Sequence, residues 1–216
     1  MRTMNDVDTM TIDLPVDFLK TLLEKGRIED YFYVKELSQR KLFITDEICF
    51  DTTSDIIKNI LQYNREDRGK TNDERKPIVL YISSPGGSVE AGMQLIDVIR
   101  ESKTPVYIVN TGICYSMAFL IFLCGDKRFS MKSSTFLMHD GSLSTFDSAK
   151  KAQDLMRFND RVESRIKEYV LQTTNITDEL YEEKSRVEWY MFADEAKELG
   201  IVDYVVGEDC DIDEVC

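Results

Sequence analysis

Histidine and tryptophan each occur once in the 216 residues, proline four times, and no two of the five cysteines form a C-x-x-C pair. A lone histidine and unpaired thiols leave no His-rich or Cys-paired metal site. Basic charge is scarce: 27 Lys and Arg face 40 Asp and Glu, a net of −13, with no basic patch set apart. A phosphate backbone would repel such a chain, which argues against nucleic-acid binding. Long apolar runs are missing too. The longest, Met117 to Cys124, is far too short to span a bilayer, and the N-terminus shows no basic-then-apolar signal pattern. The chain therefore reads as cytoplasmic and reduced. Present instead are 43% apolar and 31% charged residues, ordinary for a soluble globular protein, in a length that suits one domain with a proper core.

Residues 1–35 read as an N-terminal arm, with a short helix opening at Leu14–Lys20 and an extended, aromatic-rich piece at Tyr31–Val34. A short strand is expected over Arg40–Ile44. A helix capped by Thr52, Thr53 or Ser54 follows, with Ile56, Ile57, Ile60 and Leu61 on one face. Asn64 to Lys76, almost all charge, reads as a solvated loop. Next come a buried-type strand at Ile78–Ile82, a helix from Val89 to about Glu101 and a strand at Pro105–Asn110, after which Gly112 is expected to break the chain. A helix at about Ser116–Cys124 and a strand at Thr135–Met138 precede a long amphipathic helix, Asp147–Gln172, striped by Ala152, Leu155, Met156, Val162, Ile166, Tyr169 and Val170. A helix around Ala193–Leu199, a Gly200 stop and a strand at Ile201–Val206 follow, and the acidic tail Cys210–Cys216 is expected to fray. Strands alternating with helices argue an α/β fold with a mostly parallel sheet.

In open α/β sheets the ligand crevice lies beyond the carboxyl ends of the strands. Three such ends carry candidate chemistry. The turn Ser84-Pro85-Gly86-Gly87-Ser88 presents free backbone N–H groups at a helix start, although a tight turn needs glycine whatever its role. It is neither G-x-G-x-x-G nor a Walker loop. Ser116 opens an apolar helix, where a serine is ordinarily an N-cap. His139, the only histidine, ends the next strand and is followed by Asp140 and Gly141. Oxyanion donors, a nucleophile and a base are the parts of nucleophilic acyl transfer, which points to a serine hydrolase.

Five segments resemble the ClpP serine peptidases in order and spacing: Tyr81-Ile82-Ser83-Ser84-Pro85-Gly86-Gly87-Ser88-Val89, Gly112-x-x-x-Ser116-Met117-Ala118, Lys127-Arg128-Phe129, Phe136-Leu137-Met138-His139, and the block from Ala193 to Asp203. The resemblance covers residues 36–206 and leaves 207–216 as an acidic C-terminal tail. It implies a crotonase/ClpP-like β-β-α spiral fold with a long handle helix. It also implies a serine endopeptidase that assembles as a heptamer or tetradecamer, enclosing a chamber into which an ATP-driven AAA+ unfoldase feeds unfolded polypeptide. No cofactor is expected in this chain, ATP being used by the partner. Carried across, Ser116 matches the nucleophile, His139 the general base, and the N–H groups of Gly87 and Met117 the oxyanion hole. The family's acid, an Asp two residues before the aromatic leading into the Ala193 block, falls on Glu188, with Asp140 and Asp194 as fallbacks. Val79 and Tyr81 match the strand of the unfoldase-docking pocket and are expected toward a ring's outer face.

The chain departs from the family at several places. Glutamate replaces the aspartate, and Cys114 and Tyr115 replace small residues before the serine. Asp140 to Phe146 replaces a Gln-Pro and glycine-rich stretch, and Arg186-Val187 replaces an Asp-Arg pair. These changes put double-ring locking in question. Two other readings stay open: a catalytically weak or silent ring subunit, favoured by the altered acid but opposed by retention of Ser116 and His139, and another crotonase-fold acyl-transfer enzyme. The second would need an adenosine groove and usually two carboxylates, neither of which is announced.

Overall fold

The computed structural model describes residues 28–141 and 148–215. The expected helix at Leu14–Lys20 and the stretch Ser142–Phe146 lie outside the described residues. By internal contacts the chain forms two units, residues 1–41 and 42–216. In the first, α1 (Ile28–Ser38) replaces the extended piece expected at Tyr31–Val34. Four aromatic and branched residues are a weak local prior, and here they belong to a longer run without Gly or Pro that continues into the helix formers Lys35, Glu36 and Leu37. Arg40 stops the helix with a φ of 62°.

The second unit is built on a sheet of order β1 (Lys41–Ile44), β2 (Ile78–Ser84), β3 (Val106–Tyr115), β4 (Lys127–Met131) and β7 (Tyr204–Val206). Beside β3 also lies β5 (Thr135–Met138), which pairs in turn with β6 (Trp189–Phe192). The β2–β3, β3–β4, β3–β5 and β4–β7 pairs are parallel and β5–β6 is antiparallel. Helices α2 (Phe50–Glu66), α3 (Val89–Arg100), α4 (Met117–Phe122), α5 (Ala149–Thr173), α6 (Asp178–Lys184) and α7 (Ala193–Glu198) complete it. No helix among the described residues is long and apolar enough to cross a membrane.

Strand β3 decides where the site lies. It does not end at Asn110. Its first half, Tyr107–Asn110, pairs with β4, and its second half, Ile113–Tyr115, pairs with β5. The buried Asn110 side chain spans the transfer, donating to the Thr135 carbonyl at 3.1 Å and accepting from the Gly112 N–H at 3.0 Å. Gly112 does not break the strand; it lets β2 approach, since a side chain there would meet the Ser83 hydroxyl at 2.7 Å. The Arg128 of the Lys-Arg-Phe segment has a structural role. Its guanidinium grips Asp203 with nitrogen–oxygen distances of 2.8 and 3.2 Å and donates to the Thr173 carbonyl, tying β4 to the lead into β7 and to the end of α5.

Other expectations are corrected by the partners these residues find. Helix α2 begins after Cys49 rather than after Thr52–Ser54, because the Thr52 hydroxyl accepts from the Cys49 N–H inside the first turn. The charged run from Asn64 is not all solvated loop. The helix continues to Glu66, and Asp67 is wholly buried, accepting from the Thr104 hydroxyl at 3.0 Å and Lys70 at 2.7 Å. On α5 only Tyr169 and Val170 are buried; Leu155, Met156 and Phe158 stand exposed on its N-terminal half. Of the C-terminal segment, the described residues 210–215 do not fray. Val215 is buried among Val109, Phe129 and Val206, and its carbonyl accepts from the Tyr81 hydroxyl at 2.5 Å. Tyr81, half-buried and stacked on Phe43, and Val79 border this cluster.

Candidate active site

Ser116 stands between β3 and α4 with φ 54° and ψ −121°. A non-glycine residue holds such a conformation only where its surroundings over-determine it, at a cost of about 1–3 kcal/mol. Here the Ser116 N–H donates to the Leu137 carbonyl at 2.9 Å, and all six residues of α4 behind it are buried. The strand is thus pinned to β5 while the helix is pinned in the core, and the sharp turn between them presents the serine at the strand end, as in a nucleophile elbow.

The glycine turn presses against this elbow. A Cβ on Gly86 would lie 2.6 Å from the Tyr115 carbonyl oxygen and 2.8 Å from the Ser116 Cβ. The turn is held from its other side by residues that local patterning did not single out. The Ile48 N–H donates to the Gly86 carbonyl at 2.7 Å, and the Ser88 N–H donates to the Ile48 carbonyl at 2.8 Å. The Ser84 hydroxyl donates to the Asp46 carbonyl and accepts from the Gly86 N–H. This clamp leaves the Gly87 and Met117 N–H groups without a hydrogen-bond acceptor among the described residues. Ser84 lies within the recognisable segment, whereas nothing local marks Ile48.

His139 follows β5 directly. The antiparallel register pairs Leu137 with Tyr190 and Met138 with Trp189, and one step further sets His139 opposite Glu188. Their side chains meet, with Nδ1 and Oε1 2.9 Å apart. Glu188 is 58% exposed there and His139 28%. Of the fallback acids, Asp140 lines the cleft but makes no hydrogen bond to His139 among the described residues. Asp194 sits in the first turn of α7, where its charge acts on Lys132. Tyr115 turns aside, its hydroxyl 2.8 Å from the Thr135 Oγ1. Cys114 is wholly buried, and burial pushes its thiol well above the usual range, so it is no rival nucleophile.

Ser116 and His139 line one cleft of about 360 Å³, lined also by residues of α5 and α6. No hydrogen bond joins the two side chains among the described residues; such contacts often form only with substrate bound. Met117, Leu120, Ile166 and Val170 supply apolar wall, and Asp160, Glu163 and Glu182 supply negative charge. Lys167 is neutralised by Asp178 at 2.8 Å and Glu182 at 2.5 Å. Burial, then the Glu163 carboxylate, pushes the Tyr181 phenol up. Among the described residues no three His, Cys, Asp or Glu side chains converge as a metal-ligand set.

By class this is an α/β protein whose strand ends bring together a strained serine, a histidine–carboxylate pair and uncommitted backbone donors. The model of the Clp protease family matches residues 24–209, and the chain belongs to that family. Its fold is accordingly the ClpP/crotonase-like one. It is 26% identical over 186 residues to the ATP-dependent Clp protease proteolytic subunit 2 of Treponema pallidum, covering 85% of this chain and 90% of the relative. It is 28% identical over 191 residues to the ATP-dependent Clp protease proteolytic subunit 1 of Chlamydia pneumoniae, covering 85% and 95%. The corresponding subunit of Chlamydia caviae matches at the same identity and coverage.

Proposed function

We propose that this Clp protease family member is a serine endopeptidase subunit of a self-compartmentalising protease, cleaving unfolded polypeptides delivered by an ATP-driven unfoldase. The observation that carries the reading is the 2.9 Å contact that Glu188 makes with His139, a residue lining the cleft that holds Ser116. Ser116 Oγ attacks the scissile carbonyl carbon while His139 Nε2 takes its proton. Glu188 accepts from Nδ1–H, selects the tautomer with a free Nε2 and stabilises the imidazolium that forms. The Gly87 and Met117 N–H groups receive the negative charge developing on the carbonyl oxygen. His139 then protonates the leaving amine, and water, deprotonated by the same imidazole, releases the acyl group. The chain uses no cofactor of its own in this scheme.

In this reading the subunits form a heptameric ring in the cytoplasm, with no membrane or nucleic-acid partner. The stretch after His139 and Arg186-Val187 weaken the contact between two rings. Fluorophosphonate labelling tests the chemistry. Label on Ser116 that disappears in Ser116→Ala supports it, and an unlabelled Ser116 overturns it. The glutamate at 188 in place of the family's aspartate favours a second reading, a catalytically weak or silent ring subunit, for which the same probe labels Ser116 slowly or not at all.

A further inference from the structure

Tyr115, one residue before the serine, is anchored by its hydroxyl to Thr135 Oγ1 at 2.8 Å. Its ring meets that of Tyr190 edge-on, with centroids 5.7 Å apart and planes at 84°. The Tyr190 hydroxyl donates to Glu188 Oε2 at 3.4 Å, while Oε1 of the same carboxylate faces His139 Nδ1 at 2.9 Å. Register explains the meeting. Tyr115 pairs with Leu137 across β3–β5, and Leu137 pairs with Tyr190 across β5–β6. The three residues form one row, and side chains of one row share a sheet face.

Glu188 needs support of this kind. It lies just outside β6, more than half exposed, and a glutamate has one more free torsion than an aspartate. A carboxylate that swings away from Nδ1 releases the imidazole to its other tautomer, which has no free Nε2 to act as base. At 3.4 Å the phenol contact is long for an O–H···O bond. Its polarity is nevertheless fixed, because partial desolvation, then the Glu188 charge, pushes the Tyr190 phenol up and keeps it a donor.

We propose that Tyr190, braced by Tyr115, is a positioning residue that holds the Glu188 carboxylate against His139 Nδ1. The inference rests on the catalytic reading above. It accounts for two departures from the family pattern together, the longer acid and the large residue before the serine.

The chain has one histidine, so ¹⁵N imidazole shifts report the His139 tautomer without any need for turnover. The unsubstituted chain is expected to hold mainly the Nδ1–H form, and Glu188→Ala to move the balance toward Nε2–H. Tyr190→Phe should move it part of the way and lower peptide kcat about three- to tenfold with KM unchanged. On a Glu188→Ala background Tyr190→Phe should change neither quantity, whereas a structural role would act on both backgrounds. Tyr115→Phe, which unhooks the brace from Thr135, should give a smaller tautomer shift of the same sign; no shift removes Tyr115 from the proposal. If Tyr190→Phe leaves the tautomer balance as in the parent, or lowers kcat equally on both backgrounds, the proposal is wrong although Glu188 stands. If Glu188→Ala leaves the tautomer unmoved, the assignment of the acid itself falls.

Discussion

Gly86→Ala is the sharpest steric test of the elbow. Gly86 has a φ of 97°, and a Cβ there would lie 2.6 Å from the Tyr115 carbonyl oxygen, 2.8 Å from the Ser116 Cβ and 3.0 Å from the Met117 nitrogen. Gly69 is its natural control, with a φ of 90° and nothing within 4 Å of the added carbon. Gly69→Ala therefore isolates the backbone strain, about 1–3 kcal/mol. Gly86→Ala adds overlap with backbone atoms that cannot swing aside, an overpacking cost of about 1–3 kcal/mol, so its total is about 2–6 kcal/mol. The same displacement moves the Met117 N–H, and loss of one oxyanion donor lowers turnover by about 10²–10³. Urea unfolding at fixed protein concentration, followed through the single tryptophan, Trp189, reads the stability. Fluorophosphonate labelling rates read the site. The expected result is a larger midpoint loss for Gly86→Ala than for Gly69→Ala, with slowed labelling in the former alone. Equal midpoints, or a Gly86→Ala protein labelled as fast as the parent, would refute the packing argument.

Ser116→Ala and His139→Ala should each lower peptide hydrolysis by about 10³ or more, because nucleophile and base act as a unit, with circular dichroism unchanged; residual turnover near the parent's would remove the pair. Glu188→Gln should lower kcat by about 10²–10³, less than the roughly 10⁴ known for a buried triad acid because this carboxylate is 58% exposed, and Glu188→Asp should retain much of the activity; a fully active Gln variant would disqualify Glu188. Asp67→Ala removes the acceptor of the buried Thr104 hydroxyl, which keeps only its bond from Arg75, and frees Lys70, and should cost about 1–3 kcal/mol in urea unfolding with labelling of Ser116 unchanged. Light scattering over a range of concentration and salt should find a ring-sized particle that splits into single rings before subunits; a subunit-sized mass throughout would refute the ring, and a salt-proof double ring would refute the weak ring–ring contact.

Much of the site was legible because its signals are local. A glycine pair after an apolar strand, a serine opening an apolar helix and a histidine ending a strand each sit within a few residues of the feature that explains them. Glu188 was reachable only through its fixed offset from the Ala193 block, since an exposed acid carries no mark of its own. What brings it to His139 is the antiparallel β5–β6 pairing, and no local pattern marks β6 as a strand. Its four residues, Trp189–Phe192, form a ladder only because β5 lies alongside.

The amino-acid sequence alone determined the alternation of strands and helices, the acidic surface and the order of the reactive groups along the chain, because periodicity, charge and turn chemistry act between near neighbours. The tertiary structure decided the rest. It carried β3 past Gly112 through the Asn110 side chain, clamped the glycine turn on Ile48 and buried Asp67 beneath Thr104. It also laid Val215 on the Tyr81 cluster and linked Tyr115 through Tyr190 to Glu188. Each of these depends on a hydrogen bond or contact between residues distant in the chain, whose partner exists only once the sheet has formed.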